Sequence, residues 1–233
     1  MLTNLIIVAG HSVYVGKNLN DVFDDTNWFL YPFQKGEPKL YIEHIRAGCD
    51  LANKDESSLL IFTGGQSRKE AWFRSESQTY FAVADRLGFQ DEELKQRTTT
   101  EEFSRDSFEN LLFPICRFRE YLFRYPSHIT LVTFAFKEKR FHHHREAIRL
   151  PKETVTFVGA NNPDDIRTAE LGEAKAIELM ENDPYCCHGE LLTKRDLRNA
   201  WKRQNGYSIS CPELKELLEY NGRELFKGKL PWD

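Results

Sequence analysis

Apolar runs of strand length alternate along the chain with longer segments of helical period. "NLIIVAG" (residues 4–10) is a run of consecutive apolar residues ending at a glycine and reads as a buried strand. "LYIEHIRAGCDLAN" (40–53) sets Leu40, Ile42, Ile45, Cys49 and Ala52 at near-helical spacing, an amphipathic helix. "SSLLIFTGG" (57–65) is the second strand, and "SESQTYFAVADRLGF" (75–89) is a helix stopped by Gly88. "SRDSFENLLFPICRFREYLFRYP" (104–126) opens on cap-type residues, with Ser104 as N-cap, and continues as an apolar helix. Pro114 is expected to kink it and Pro126 to end it. "HITLVTFAF" (128–136) is the third strand, "KEKRFHHHREAIRL" (137–150) a basic helix, "ETVTFVGAN" (153–161) the fourth strand, and "TAELGEAKAIELMEN" (168–182) another helix. The last forty or so residues are helical and turn-rich, with "CPELKELLEYN" stopped by Asn-Gly.

Strands that are apolar on both faces, alternating with helices, mark a parallel sheet covered on both sides by right-handed crossovers. The expectation is an α/β, Rossmann-like three-layer domain with a mainly parallel sheet over residues 1–185. Residues 186–233 form a C-terminal helical extension packed on it. The long irregular stretch 12–39 is rich in aromatics (Phe23, Trp28, Phe29, Tyr31, Phe33) and acids, which favours a packed lid over a disordered loop.

Composition narrows this further. At 233 residues the chain fits one large domain better than two, and a net charge of -4 argues against a dedicated nucleic-acid binder. The longest apolar runs are too short to cross a bilayer, and "MLTNLIIVAGHS" reads as a first strand, lacking the basic region and cleavage site of a signal peptide. The five cysteines contain no CxxC pair, so reduced thiols are expected in place of a disulfide frame or zinc site.

In an open parallel sheet, ligands bind beyond the carboxyl ends of the strands, near the point where strand order reverses. That rule selects "GHSV", "TGGQSR", "TTTEEFSRDSFEN" and "FAFKEKR". In "TGGQSR", Gly64 and Gly65 permit close backbone approach to an anion, with Ser67 and Arg68 beside them; the same residues also suit a plain strand-ending turn. Neither GxxxxGK[ST] nor GxGxxG is present, and no GxSxG elbow occurs. Ser107 and Asn110 lie three apart on one helix face, with Glu109 on another, and fit either ordinary capping or an anion site. Lys137 and Arg140 share a face at a helix start and are placed to clamp a phosphate or carboxylate. His142, His143 and His144 are consecutive, so their directions diverge by about 100° each and a solvated face is preferred to a metal site. His11, directly after the first strand, is either an acid/base group or a histidine satisfied by backbone. "DVFDDT" (21–26) follows no strand and reads as loop.

In this order the segments resemble the SanA/YdcF-like family, a domain family of largely undefined function. The resemblance rests on the glycine-ended first strand (Gly10), then Thr63, Gly64 and Gly65 followed by a Ser-Glu pair (Ser75 or Ser77 with Glu76). After these come a Thr-rich lead-in (Thr98 to Thr100), S-x-E-N (Ser107, Glu109, Asn110), and a strand ending before a basic turn (Val132 to Arg140). It covers roughly residues 4 to 160 and implies a Rossmann-like fold. Where family members carry His-x-x-Arg after the third strand, this chain keeps Arg140 and has Lys137 in the histidine's place. Bacterial relatives tend to be membrane-associated, whereas "GYSISCPELKELL" and "LPW" are similar to a soluble eukaryotic, chiefly fungal, branch, implying a cytoplasmic protein without a membrane partner.

These readings meet in an enzyme-like domain that binds an anionic, nucleotide-like small molecule. Gly10, Thr63, Gly64, Gly65, Ser67, Ser107, Asn110, Lys137 and Arg140 would hold it, and Glu76, Glu109 and His11 are the acid/base candidates. Phosphoryl hydrolysis or transfer would then use activated water; no cofactor is assigned and no metal ligands are singled out. The rivals are a non-catalytic binder of an adenosyl-type cofactor, or adaptor, and an interaction protein docking through the aromatic loop.

Overall fold

The computed structural model describes all residues, Met1–Asp233, as an α/β protein around one five-stranded sheet. The strands β1 (Asn4–Ala9), β2 (Ser58–Thr63), β3 (Thr98–Glu101), β4 (His128–Phe134) and β5 (Val155–Asn161) lie in the order β3-β2-β1-β4-β5, and every pair is parallel. This order is Rossmann-like. The helices are α1 (Pro38–Lys54), α2 (Glu76–Arg86), α3 (Glu92–Gln96), α4 (Glu109–Leu122), α5 (Glu138–Ala147), α6 (Ile166–Glu181), α7 (Gly189–Leu197), α8 (Tyr207–Ser210) and α9 (Lys215–Leu218).

The two-residue period of a strand divides the central side chains between two cores. Leu5, Ile7, Leu59, Ile61, Ile129 and Leu131 face α4, α5 and the C-terminal segment. Ile6, Val8, Leu60, Phe62 and Val132 face α1 and α2. Burial on both faces is why β1 and β2 read as unbroken apolar runs. The C-terminal segment belongs to the first core: Tyr185, Tyr207, Cys211, Leu214, Phe226 and Leu230 are buried with α4, and the Tyr207 and Phe113 rings lie 5.1 Å apart.

Two local expectations are corrected. "TTTE" is a strand, although only Thr98 and Glu101 are buried; as an edge strand β3 needs no apolar run. The long helix begins at Glu109, and its first N–H is capped at 2.9 Å by Asp106 Oδ1, not by Ser104. The helix runs on through Pro114, which withholds the bond to the Asn110 carbonyl one turn earlier. Residues 12–39 pack as a cover: Tyr14 and Trp28 form a β-bridge, while Val22, Trp28 and Gln34 are buried.

After β1 the chain steps outward through β2 and β3, then returns to β4 on the other side of β1. The carboxyl ends of β1 and β4 therefore part at the reversal of strand order, where a crevice is built into the topology. A register shift at Thr133/Phe134 and a 3-10 turn at Ala135–Lys137 bend the exit from β4 into that crevice. No helix of the chain is long and apolar enough to cross a membrane.

Candidate functional site

A cavity of about 650 Å3 opens at this crevice, between the 31–37 segment, the turn before α4, and the starts of α5 and α6. His11 stands at its floor. Its main-chain N–H donates to the Tyr80 hydroxyl at 3.2 Å, and its carbonyl accepts from Gln34 Nε2 at 3.1 Å and Arg68 Nη2 at 3.3 Å. The ring packs 4.8 Å from Phe134 and 5.3 Å from His44. Nδ1 lies 3.3 Å from Lys137 Nζ, and Nε2 lies 3.1 Å from Thr133 Oγ1. An ammonium has only protons to give, so beside a charged Lys137 the Nδ1 accepts and Nε2–H donates to Thr133. Burial, then the Lys137 charge, hold His11 well below the ordinary histidine pKa, so the ring is neutral at pH 7.

Lys137 faces the cavity over the rings of Phe134 and Phe136, at 5.3 and 5.6 Å from their centres. Although partly open to the cavity, it is walled by enough protein that desolvation, reinforced by Arg140, pulls its pKa down to about 7. Arg140 donates both arms to buried Glu173, Nε at 2.9 Å, which fixes its plane and neutralises much of its charge.

Arg68 is different. It is 4% exposed, has no carboxylate partner, and its Nε meets no acceptor. Its guanidinium lies over the Tyr31 ring at 4.3 Å and otherwise reaches only the carbonyls of His11 and Ser67. A buried, unpaired guanidinium is costly unless something supplies negative charge. Arg198, just past α7, also lines the cavity; its Nη1 donates to the Arg105 carbonyl at 3.1 Å and it forms no ion pair. At the mouth, Tyr31 and Phe33 stack with ring centres 5.6 Å apart.

The acids divide sharply. Glu76, at the start of α2, lines the cavity and accepts a hydrogen bond from Ser67 Oγ. Glu37 also lines it; burial raises its pKa even though the Tyr41 hydroxyl donates to it at 2.5 Å. Glu109 lies off the cavity, as its helix face requires. It is held by the backbone N–H and side chain of Arg105 and by Arg195 at 3.5 Å, and burial raises its pKa.

Of the residues expected from the sequence, the fold brings Gly10, His11, Ser67, Glu76, Ser107, Asn110, Lys137 and Arg140 to the cavity wall. Thr63, Gly64 and Gly65 are not among its lining. Thr63 Oγ1 donates to Glu101 at 2.8 Å and lies 3.0 Å from Ser104 Oγ, fully buried. The N–H groups of Gly64 and Gly65 bond the carbonyls of Glu101 and Ser104 at 3.1 and 2.8 Å, and that of Gly10 bonds Thr63 at 2.8 Å. No glycine N–H of the set is left to receive an anion. The glycines serve close packing: a Cβ on Gly65 would stand 2.7 Å from the Ser104 carbonyl, and Gly64 has φ +139° with Glu76 against it.

The histidine run is also corrected. His142 and His143 are half-buried, but His144 is fully buried, between Phe108 and Phe141, and its Nε2 is 2.8 Å from Ser107 Oγ. Burial takes its pKa down to about 3, and Nδ1 has no partner. Nowhere do three or more His, Cys, Asp or Glu side chains gather as a metal site. Arg198 and Glu37 were missed because neither belongs to a turn after a strand. Arg68 alone carried a signal, its place beside the glycine turn.

No protein-family model matches the chain, and no solved structure matches it. An uncharacterized protein of Saccharomyces cerevisiae, YOR238W, is 30% identical to it over an alignment that covers 98% of this chain and 96% of the yeast protein.

Proposed function

We propose that this chain, which belongs to the family of the yeast protein YOR238W, binds an anionic, nucleotide-like small molecule in the cavity between the β1 and β4 ends. Arg68 and Arg198, with Lys137 between them in function, take the negative charge; the Tyr31–Phe33 stack takes a flat ring. The observation that carries this reading is Arg68, a buried guanidinium with a free Nε and no carboxylate. The SanA/YdcF-like resemblance belongs to the same proposal: its S-x-E-N and basic-turn motifs supply Ser107, Asn110, Lys137 and Arg140 to the wall, while its Thr-Gly-Gly motif supports them from behind.

Phosphoryl hydrolysis or transfer is the reaction class this set fits, with Glu76 as the base that activates water and the cations stabilising the phosphoryl oxygens. A binder without chemistry is the second reading. It is favoured by His11, whose two ring nitrogens are both engaged, and by Glu109, which is locked in ion pairs.

The test is thermal unfolding of the full chain with ATP, ADP or inorganic phosphate. A ligand at about 100 times its Kd adds roughly 2.7 kcal/mol, a shift of several degrees. The Arg68→Met variant is expected to fold and to lose the shift. No shift from any of the three with the unaltered protein removes the reading. If binding is seen, consumption of the nucleotide that Glu76→Gln abolishes assigns the enzyme; retention without consumption assigns the binder.

A further inference from the structure

Lys137 is badly suited to the single task of holding an anion. Arginine would keep its charge in any surroundings and offer a planar fork. Here a primary amine stands with Nζ 3.3 Å from His11 Nδ1, above two phenyl faces, and with no carboxylate at ion-pair distance. The charged groups facing it are Arg140 and Arg198, which repel its proton, and Glu173 and Glu37, which attract it; His11 is neutral. Glu173 is already taken by Arg140, and Glu37 by the Tyr41 hydroxyl. With its pKa at about 7, half of the amine is unprotonated at neutral pH. A desolvated lysine beside other cations is the arrangement that makes the side chain a nucleophile.

We propose that Lys137 captures the carbonyl carbon of an aldehyde or ketone as an imine, the same small molecule carrying a phosphate or carboxylate that Arg68 and Arg198 hold. The inference rests on the anion-binding reading for that handle and goes beyond it in giving the amine a reaction. The Nζ lone pair forms a bond to the carbonyl carbon while the C=O π pair moves to oxygen. The nitrogen then gives up a proton and the oxygen takes one, leaving a neutral carbinolamine. The nitrogen lone pair next forms C=N, the hydroxyl leaves with a proton as water, and loss of the remaining N–H proton gives the neutral imine. One amine and one carbonyl give one imine and one water; nothing is oxidised or reduced. His11 Nδ1, in contact with Nζ, is the atom placed to carry the proton from nitrogen to the leaving oxygen. A neutral ring of low proton affinity passes a proton on and does not retain it.

The experiment uses pyridoxal 5'-phosphate as the probe aldehyde, sodium cyanoborohydride as the trap, and peptide mass spectrometry on the full chain. The expected result is one adduct on the peptide that carries Lys137, forming about tenfold faster than at any other lysine near pH 7, because an exposed lysine is there almost wholly protonated. Inorganic phosphate should slow it. Arg68→Met should slow pyridoxal 5'-phosphate but not pyridoxal, and Lys137→Arg should abolish the adduct while the far-ultraviolet circular dichroism is kept. Adducts spread evenly over the lysines would overturn the inference. A phosphate or nucleotide shift in thermal unfolding without labelling of Lys137 would remove the imine and leave the anion site standing. Equal labelling by both aldehydes, untouched by Arg68→Met, would remove the anionic handle and with it the proposed substrate class.

Discussion

The two halves of the sheet's carboxyl edge are built from similar material, and they end differently. Both the β2–β3 side and the β1–β4 side leave their strands through glycine, serine, threonine and charged residues. Directly after β2 and β3 the polar groups bond one another. Glu101 accepts from Thr63, Ser104, Tyr207 and the Phe103 N–H, and the Gly64 and Gly65 N–H groups meet carbonyls. Around the cavity capacity is left over: Arg68, reaching it from the far end of the turn after β2, and Arg198, just past α7, have no anion, Lys137 has only a histidine, and all three line the open volume. Polar groups that the fold has not satisfied are what the proposed site rests on, and buried groups of this kind lower stability.

The contrast can be broken first at Gly65. A methyl group there meets a main-chain carbonyl that the Gly65 N–H itself holds, so neither can retreat. Gly65→Ala is expected to lose about 3 kcal/mol, or about 10 °C of Tm in a chain of this size. An unchanged Tm would mean that this side is not filled as described. Acid comes next. His44 and His144 are buried with pKa values pulled down to about 3, while the unfolded chain protonates them near the ordinary histidine value. Between those limits the unfolded state binds more protons, so stability falls as pH falls. Each group contributes up to about 1.4 kcal/mol per pH unit, and the pair about 2 kcal/mol between pH 6 and 5. His11 adds in the same direction. Urea titrations at the two pH values measure it, and a flat midpoint would show these rings to be charged.

The smallest effect has the opposite sign. Folding must discharge Lys137, whose unfolded pKa is the ordinary one. Lys137→Met is therefore expected to stabilise the free protein at pH 7 by about 1 kcal/mol, after discounting for screening by cavity water. The gain should fade as pH rises past the folded pKa of about 7 toward the ordinary lysine value, where the unfolded amine is discharged too. Destabilisation of similar size would make Lys137 a structural strut.

Much of the architecture was legible because its signal is redundant. β1, β2 and β4 are apolar on both faces, and α1 shows its stripe from Leu40 to Ala52. β3 was hidden because an edge strand of three threonines and a glutamate buries too little to show a pattern. At the site, position after a strand led to His11, Ser67 and Lys137, and the resemblance to Glu76; all four line the cavity. It misplaced Thr63, Gly64 and Gly65, because sequence shows which donors exist and not which are already bonded. Arg198 was out of reach for another reason: about 130 residues separate it from Arg68, and no spacing rule links a C-terminal helix end to a turn after β2. His144, read as part of a solvated basic face, is buried because α5 turns that one position of its three histidines onto Phe108.

Helix α7 joins two matters that would otherwise be separate. Arg195 grips Asp106 and Glu109, and three residues later Arg198 reaches the cavity. The tail therefore cannot lift away without uncovering two carboxylates and withdrawing a cation from the cavity at the same moment. If the cavity holds the proposed anion, its occupancy and the attachment of the tail are reciprocal, each strengthening the other by the same free energy.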